Sequence, residues 1–314
     1  MKEILKVSSS PHIKHPETTR GIMADVIIAL LPAAVFGCIL FGLRALLVLL
    51  VCVAAAVASE FLWNLILKKP NTIGDLSAVV TGLLLGMNLS PKIPLYMAAI
   101  GSVVAIIVVK QMFGGLGHNF VNPAIAARII LMVSFPSAMN RFSNPVFSVG
   151  EAAKVVTSAT PLSDSSAAVS LKYAFFGFYR GCIGETCTFL LIIGGIYLIV
   201  RKIISPAIPL SFLATVAVLS LISHQNVAMQ LCTGGLMLGA IFMATDYTTS
   251  PKSPIGKIIY GIGCGAITFI IRKFGSLPEG VSYSIILMNI ITPLIDRFTL
   301  RKPFGFKKAV KADE

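Results

Sequence analysis

Long apolar stretches dominate this chain, and short polar connections separate them. Several stretches approach or exceed the ~20 residues that an α-helix needs to cross a bilayer. The pattern predicts ten membrane segments, at 25–43, 45–67, 73–89, 94–112, 122–135, 184–203, 206–223, 226–243, 255–272 and 280–299. The fifth is short, and its NPA sequence predicts a helix start with Asn122 as N-cap and Pro123 as first residue. We therefore expect an all-α polytopic membrane protein whose fifth segment is a half-helix or is shifted in depth.

The ten segments form two groups of five on either side of a long polar interval. The third segment contains Thr81-Gly82, the eighth contains Thr233-Gly234, and each is followed by a Ser-Pro pair. An odd number of segments reverses the sense of the chain across the membrane, which predicts two inverted five-segment repeats. The expected regions are an N-terminal segment, the first repeat, an outer loop, the second repeat and a basic tail, at 1–24, 25–135, 136–183, 184–299 and 300–314.

Composition and charge agree with a membrane protein and give it an orientation. Hydrophobic residues make up 56% of the chain, charged residues 12%, and the mean hydropathy is +0.87. The net charge of +13 could suggest nucleic acid, but Lys and Arg concentrate between the segments and at the ends. With the N-terminus inside, the inner connections hold about twice as many Lys and Arg as the outer ones. We expect both termini in the cytoplasm, the 136–183 loop on the outer face, membrane lipid as surroundings, and no nucleic acid.

The N-terminal region and the cysteines narrow the classes further. About twenty polar residues precede the first segment without a short apolar core, so we expect no signal peptide. Four cysteines lie in or beside apolar segments and are expected to pack as small core residues: Cys38, Cys52, Cys232 and Cys264. Cys182 and Cys187 are close in sequence, but one pair provides neither a zinc nor an iron–sulfur pattern. No metal site is expected, and His118 is interpreted as a loop residue.

A glycine-rich loop follows the fourth segment, with the sequence GGLGHNFVNPA at 114–124. Irregular backbone at membrane depth is tolerated when protein or a cavity surrounds it. Asn119 and Asn122 could hydrogen-bond a planar heterocycle there. Turn and cap chemistry is the alternative explanation for both residues.

A second polar stretch, ATDYTTSP at 244–251, places Asp246 at the inner end of a segment beside Thr248 and Thr249. Ionisable groups at such depths are costly, which favours a functional or interfacial role. Glu60 and Asp75 fall on the same side, and for them interfacial exposure or a structural pair is the simpler expectation.

The outer loop contains the small-residue sequence KVVTSATPLSD at 154–164. No general base is evident near Thr160, so hydrolase-type nucleophilic catalysis is poorly supported. A hydroxyl among small neighbours can instead accept a covalent modification. A Ser/Thr turn before Pro161 is the alternative.

The ordered set of motifs resembles the RnfD/NqrB family, and the RnfD type most closely. VTSATPL at 156–162 is similar to the family's flavinylation motif. The resemblance extends to SPHIKHPETTRGIMADVIIALLPA near the start, GGLGHNFVNPA, GCIGET at 181–186, and ATDYTTSP. It implies that Thr160 carries FMN through a phosphoester bond made by a dedicated flavin transferase. The remaining motif residues are Thr157, Ser158, Ala159, Pro161 and Leu162.

The resemblance also implies a function and partners. Resemblance to the RnfD type implies a membrane flavin subunit of a complex that transfers electrons between ferredoxin and NAD and translocates Na⁺ or H⁺. An RnfG-like flavoprotein is the expected neighbour on the outer face, and the subunit is not expected to turn over alone. A non-covalent riboflavin nearer the cytoplasm is also implied. Candidate contacts for a flavin pocket are Asn119, Asn122, Glu185, Thr186, Asp246, Thr248 and Thr249.

Two other interpretations of the architecture stay open at this point. Inverted repeats and buried polar loops also suit a channel or secondary transporter without redox chemistry. A purely structural membrane anchor is the third possibility. Bound flavin would separate the first interpretation from both.

Overall fold

The computed structural model describes residues 18–142, 145, 171–185, 187–275 and 280–300. Every regular element in these residues is helical, in agreement with the apolar pattern. In chain order the helices are α1 (Thr19–Phe41), α2 (Leu43–Ile66), α3 (Ser77–Met87), α4 (Leu95–Val104), α5 (Pro123–Ser134), α6 (Pro136–Met139), α7 (Leu171–Phe176), α8 (Thr188–Val200), α9 (Ala207–Ile222), α10 (Val227–Cys232), α11 (Leu236–Leu238), α12 (Pro254–Phe274) and α13 (Val281–Thr299). Two π-helical stretches, Ala105–Gln111 and Gly239–Met243, continue α4 and α11.

Polar side chains set where several helices begin. Thr18 caps α1, and its hydroxyl accepts a hydrogen bond from the Gly21 amide at 3.2 Å. Ser253 caps α12 in the same way, followed by proline at the first helical position. These caps satisfy backbone N–H groups that have no partner inside the helix. The chain can therefore start helices sharply at the edges of the apolar segments.

The lengths and surfaces of the helices match a multi-pass membrane protein. Four helices in the described part of the chain are long and apolar enough to cross a membrane by length and composition: α1, α2, α12 and α13. Shorter apolar helices cover most of the other predicted segments. Large apolar side chains face outward, such as Val133 (71% exposed) and Val200 (73% exposed). Lipid can cover such side chains without the cost of exposing them to water.

The eighth predicted segment, 226–243, is interrupted. Helix α10 ends at Cys232, and Gly235 (φ +66°) precedes α11 in the left-handed conformation. Leu76 (φ +63°) occupies the same conformation immediately before α3. The two Thr-Gly pairs are not equivalent, because Thr81-Gly82 lies inside α3 whereas Thr233-Gly234 precedes α11. The pairs therefore do not mark corresponding positions of the two halves.

Close helix packing joins the elements within and between the halves. Helix α9 packs along α12, and α2 packs against both α3 and α4. A Cβ atom at Gly82 would lie 2.8 Å from the Cys52 carbonyl oxygen, so glycine lets α3 approach the α2 backbone. Between the halves, α1 packs against α8 and α5 packs against α13. The helices of the first predicted segment of each half, α1 and α8, thus contact each other. Those of the fifth predicted segment, α5 and α13, do so as well.

Candidate functional site

The glycine-rich loop and the start of α5 connect the two halves at one end of the molecule. Gly114, Gly115 and Gly117 have φ angles of +117°, +92° and +90°, which explains the glycines in this turn. Asn122 caps α5 as predicted, because its Oδ1 accepts from the Ala124 amide at 3.0 Å. Its Nδ2 donates to the carbonyl oxygen of Met243 at 3.1 Å. One side chain therefore starts a helix of the first half and holds the end of the π-helical stretch of the second.

A cavity of about 270 Å³ lies beside this junction. Residues of α1, α3 and α8 line it, together with Lys110, the loop before α5 and the turn after Met243. Four of the residues proposed from the sequence line the cavity: Asn119, Asn122, Asp246 and Thr248. The structure thus brings together two motifs that lie more than a hundred residues apart.

The cavity has an apolar part and a polar part. Aliphatic side chains form the apolar walls, including Ile22, Met23, Val26, Val80, Leu84 and Leu198. Amide, hydroxyl and charged groups form the polar part, including Ser77, Lys110, Asn119, Asn122, Asp246 and Thr248. A pocket of this size and composition suits a flat ligand with apolar faces and a polar edge. An isoalloxazine ring has that character, so the residues present fit a flavin.

Asp246 is held by the two threonines that follow it. The hydroxyls of Thr248 and Thr249 donate to its Oδ2 at 2.8 and 3.1 Å. Burial raises the pKa of the Asp246 carboxyl above its ordinary value, while these hydrogen bonds act in the lowering direction. Thr249 is itself buried and does not line the cavity. Its hydroxyl therefore orients the carboxylate from the side away from the cavity.

A buried ion pair next to the cavity had no clear sequence signal. The Lys110 ammonium lies 2.9 Å from Glu60 Oε2 and donates to the Ser77 hydroxyl at 2.6 Å. Gln111 and Thr72 donate to the other carboxylate oxygen of Glu60, at 3.0 and 2.6 Å. Glu60 therefore forms an ion pair, as the second of the two alternatives for it predicted. Lys110 lies near the end of the fourth predicted segment, where a lysine is expected to set the orientation of the chain.

Glu185 occupies a different cluster and does not line the cavity. The Arg128 guanidinium lies 3.3 Å from Glu185 Oε1 and donates to Asn88 Oδ1 at 2.7 Å. It also donates to the Ser282 hydroxyl at 3.2 Å. The cluster links α3, α5, α13 and the GCIGET segment. Buried charges of this kind require a partner, and here each charge satisfies the other.

Several predicted site residues lie outside the described part of the chain. These are the attachment residue Thr160, the neighbouring motif residues Thr157, Ser158, Ala159, Pro161 and Leu162, and Thr186.

Cys182 and Cys187 are buried, and Cys182 Sγ accepts from the Arg128 guanidinium at 3.5 Å. Within the described ranges, no group of three His, Cys, Asp or Glu residues is arranged to hold a metal ion.

Comparison with known proteins places these motifs in a family. The model of the NQR2, RnfD, RnfE family matches residues 6–305. The RnfD-type component of the Na⁺-translocating ferredoxin:NAD⁺ oxidoreductase complex of Acetobacterium woodii is 48% identical, over 98% of this chain and 97% of the relative. The corresponding component of the proton-translocating ferredoxin:NAD⁺ oxidoreductase complex of Clostridium ljungdahlii is 44% identical, over 98% of both chains. That of an ion-translocating oxidoreductase complex of Stutzerimonas stutzeri is 36% identical, over 90% and 91%. The chain belongs to the NQR2, RnfD, RnfE family.

Proposed function

We propose that this chain is the flavin-carrying membrane subunit of an ion-translocating ferredoxin:NAD⁺ oxidoreductase complex. The names of its relatives support the complex, and relatives named for Na⁺ and for protons match at similar identity. The proposed complex translocates Na⁺ or H⁺. The single observation that carries the flavin assignment is the cavity that collects Asn119, Asn122, Asp246 and Thr248 from both halves.

The cavity is proposed to bind a non-covalent flavin, with riboflavin as the candidate. Bound there, the flavin would supply reversible electron transfer, while the protein supplies position and electrostatics. Asn119 and Asn122 present amide groups to the cavity, and Asp246 presents a carboxyl group oriented by threonines. The aliphatic walls would cover the ring faces and exclude water.

A cavity-filling substitution tests this proposal. Val26 lines the cavity from α1, whereas Ile28, two residues further on, is 52% exposed on the outer surface. Val26→Trp should remove the non-covalent flavin from the purified complex, and Ile28→Trp should leave it bound. The measurement is the flavin released by acid denaturation, per mole of complex. Wild-type complex that releases no flavin, or Val26→Trp complex that retains it fully, would contradict the assignment.

FMN is proposed to be bound covalently at Thr160. Support comes from the VTSATPL sequence and from membership of the family, since the loop lies outside the described residues. A phosphoester to the threonine hydroxyl would keep the cofactor on an exposed loop, and a flavin transferase would make that bond. An RnfG-like flavoprotein is the proposed neighbour. Flavin that stays with the denatured chain and disappears with Thr160→Ala is the test.

Ten membrane segments in two inverted repeats are proposed as the architecture. Leu76 and Gly235 take the left-handed conformation immediately before α3 and α11, which lie in the third and eighth predicted segments. In the fourth and ninth segments, Lys110 follows α4 and donates to the first residue of α3, and Arg272 in the last turn of α12 donates to a backbone carbonyl shortly before α11. Contacts of α1 with α8 and of α5 with α13 suit a two-fold relation between the halves.

The proposed orientation has both termini in the cytoplasm and Thr160 on the outer face. It rests on the greater number of Lys and Arg in the connections that would face inward. In intact spheroplasts, a membrane-impermeant maleimide should label Ser165→Cys, in the outer loop. It should label Lys308→Cys, in the basic tail, only after permeabilisation. The reverse pattern would overturn the orientation.

A further inference from the structure

The buried Lys110–Glu60 pair has a definite direction relative to the cavity. The exposed fractions of the two side chains are 3% and 1%, so both charges are shielded from bulk water. Lys110 is one of the residues that line the cavity, whereas Glu60 is not. Lys110 is therefore the member of the pair that belongs to the cavity wall, and Glu60 lies behind it.

The hydrogen bonds keep the pair in this direction. Glu60 accepts from Lys110, Gln111 and Thr72, which fixes the carboxylate away from the cavity. Ser77 accepts from Lys110 and itself lines the cavity. Of the three N–H groups of the ammonium, two have acceptors among the described residues. The charge is therefore fixed at the cavity wall and cannot swing away as it would on a solvated lysine.

A buried ion pair contributes little net stability, because the attraction between the two charges often only offsets the cost of removing them from water. A fixed charge in such a site has a larger effect on any neighbouring charge, because little water screens it. A ligand in this cavity would therefore lie in the field of the Lys110 ammonium.

We infer that Lys110 sets the reduction potential of the flavin in this cavity, with Glu60 as the residue that positions it; this inference rests on the proposed flavin site. The Lys110 ammonium would stabilise the negative charge that a bound flavin gains when the donor within the complex supplies an electron. It would therefore make that flavin easier to reduce. Glu60 balances the Lys110 ammonium, so an uncharged flavin would be bound without an unpaired cation beside it.

The test is a spectroelectrochemical titration of the complex. The non-covalent flavin is followed as the spectral component that the Val26→Trp complex lacks. A double variant, Lys110→Met with Glu60→Gln, removes the field without leaving a buried charge unpaired. It should still bind the flavin, at a more negative midpoint potential. Lys110→Arg keeps the cation and should stay near the wild-type potential.

A second ion pair provides the matched control. Arg201 and Asp25 lie 2.9 Å apart, and neither lines the cavity. Arg201→Met with Asp25→Asn should leave the potential of the cavity flavin unchanged. The inference is overturned if the Lys110/Glu60 double variant binds flavin at the wild-type potential, or if it loses the flavin although the complex assembles. Wild-type complex without a non-covalent flavin would overturn the flavin site itself, which is a different result.

Discussion

The Asp246 carboxyl is the clearest electrostatic feature of the cavity at the scale of single residues. Burial raises its pKa in the folded chain, so the folded state resists its ionisation more than the unfolded state does. The unfolded chain releases this proton at lower pH than the folded chain does. The free energy of unfolding therefore falls as the pH rises through the folded pKa. The loss of folding free energy caused by ionising the buried Asp246 carboxyl should therefore be present at neutral and alkaline pH and absent in acid.

Asp246→Asn removes this pH-dependent cost. In the Val26→Trp background, where bound flavin should not contribute, the substitution should raise the melting temperature at pH 8 more than at pH 5. Scanning fluorimetry of the detergent-solubilised complex measures the difference. Asp296→Asn is the control, because that carboxylate accepts from the Lys252 amide at 3.0 Å and does not line the cavity. An equal change at both pH values would show that ionisation of Asp246 carries no folding cost.

A residue's role could be predicted where its neighbours in the sequence form a recognisable pattern. Asn122 precedes proline at the start of an apolar run, which is a capping pattern, and the structure bears it out. Asp246 stood out because a carboxylate at the end of an apolar segment is costly. Lys110 did not stand out, because a lysine near the end of a predicted membrane segment is expected to set the orientation of the chain. Only the packing of α2 against the π-helical end of α4 buries it beside Glu60.

At the scale of elements, the break before α11 depends on two glycines with left-handed backbone, Gly234 (φ +69°) and Gly235 (φ +66°). A Cβ added at Gly235 would lie 3.0 Å from Glu185 Oε1. Gly235→Ala should therefore destabilise the chain by about 1–2 kcal/mol for the left-handed backbone alone. Gly74→Ala is the control, because nothing lies within 4 Å of its added Cβ. Equal melting temperatures for the two variants would contradict this account of the break.

The Arg128–Glu185 pair links four elements, so breaking it should lower the free energy of unfolding. Arg128→Met leaves the Glu185 carboxylate buried without its cation, with an expected cost of about 3–5 kcal/mol. Adding Glu185→Leu removes that carboxylate and should recover part of the loss. Thermal unfolding of both variants in detergent measures the effect. A double variant less stable than Arg128→Met alone would mean that Glu185 is stabilised by other contacts than this pair.

Element boundaries were predictable where a cap or a charge marked them and not elsewhere. The starts of α5 and α12 have clear N-caps, at Asn122 and Ser253. The interruption within 226–243 was missed, because an apolar pattern continues through residues that are not helical. Thr233-Gly234-Gly235 was the available signal, and it was interpreted as a repeat marker instead of a break.

For the whole molecule, apolar length and charge distribution predicted an all-helical membrane protein, and the motif order predicted the family. The cavity could not be predicted in the same way. It exists because the loop before α5 and the turn after Met243 meet, and Asn122 joins them through a single hydrogen bond. That meeting depends on how the two halves pack, which no local pattern encodes. A channel or transporter would share this architecture, so bound flavin remains the discriminating property.

Covalent flavin at Thr160 is the central claim, and one measurement tests it directly. The chain is expressed with its flavin transferase, separated on a denaturing gel and examined for flavin fluorescence beside two variants. Wild type and Ser158→Ala should both fluoresce, because both keep the Thr160 hydroxyl, whereas Thr160→Ala should be dark. Mass spectrometry of the tryptic peptide between Lys154 and Lys172 should then locate FMN on Thr160. A dark wild-type band, with the transferase active on another substrate, would contradict the account and favour transport without redox chemistry.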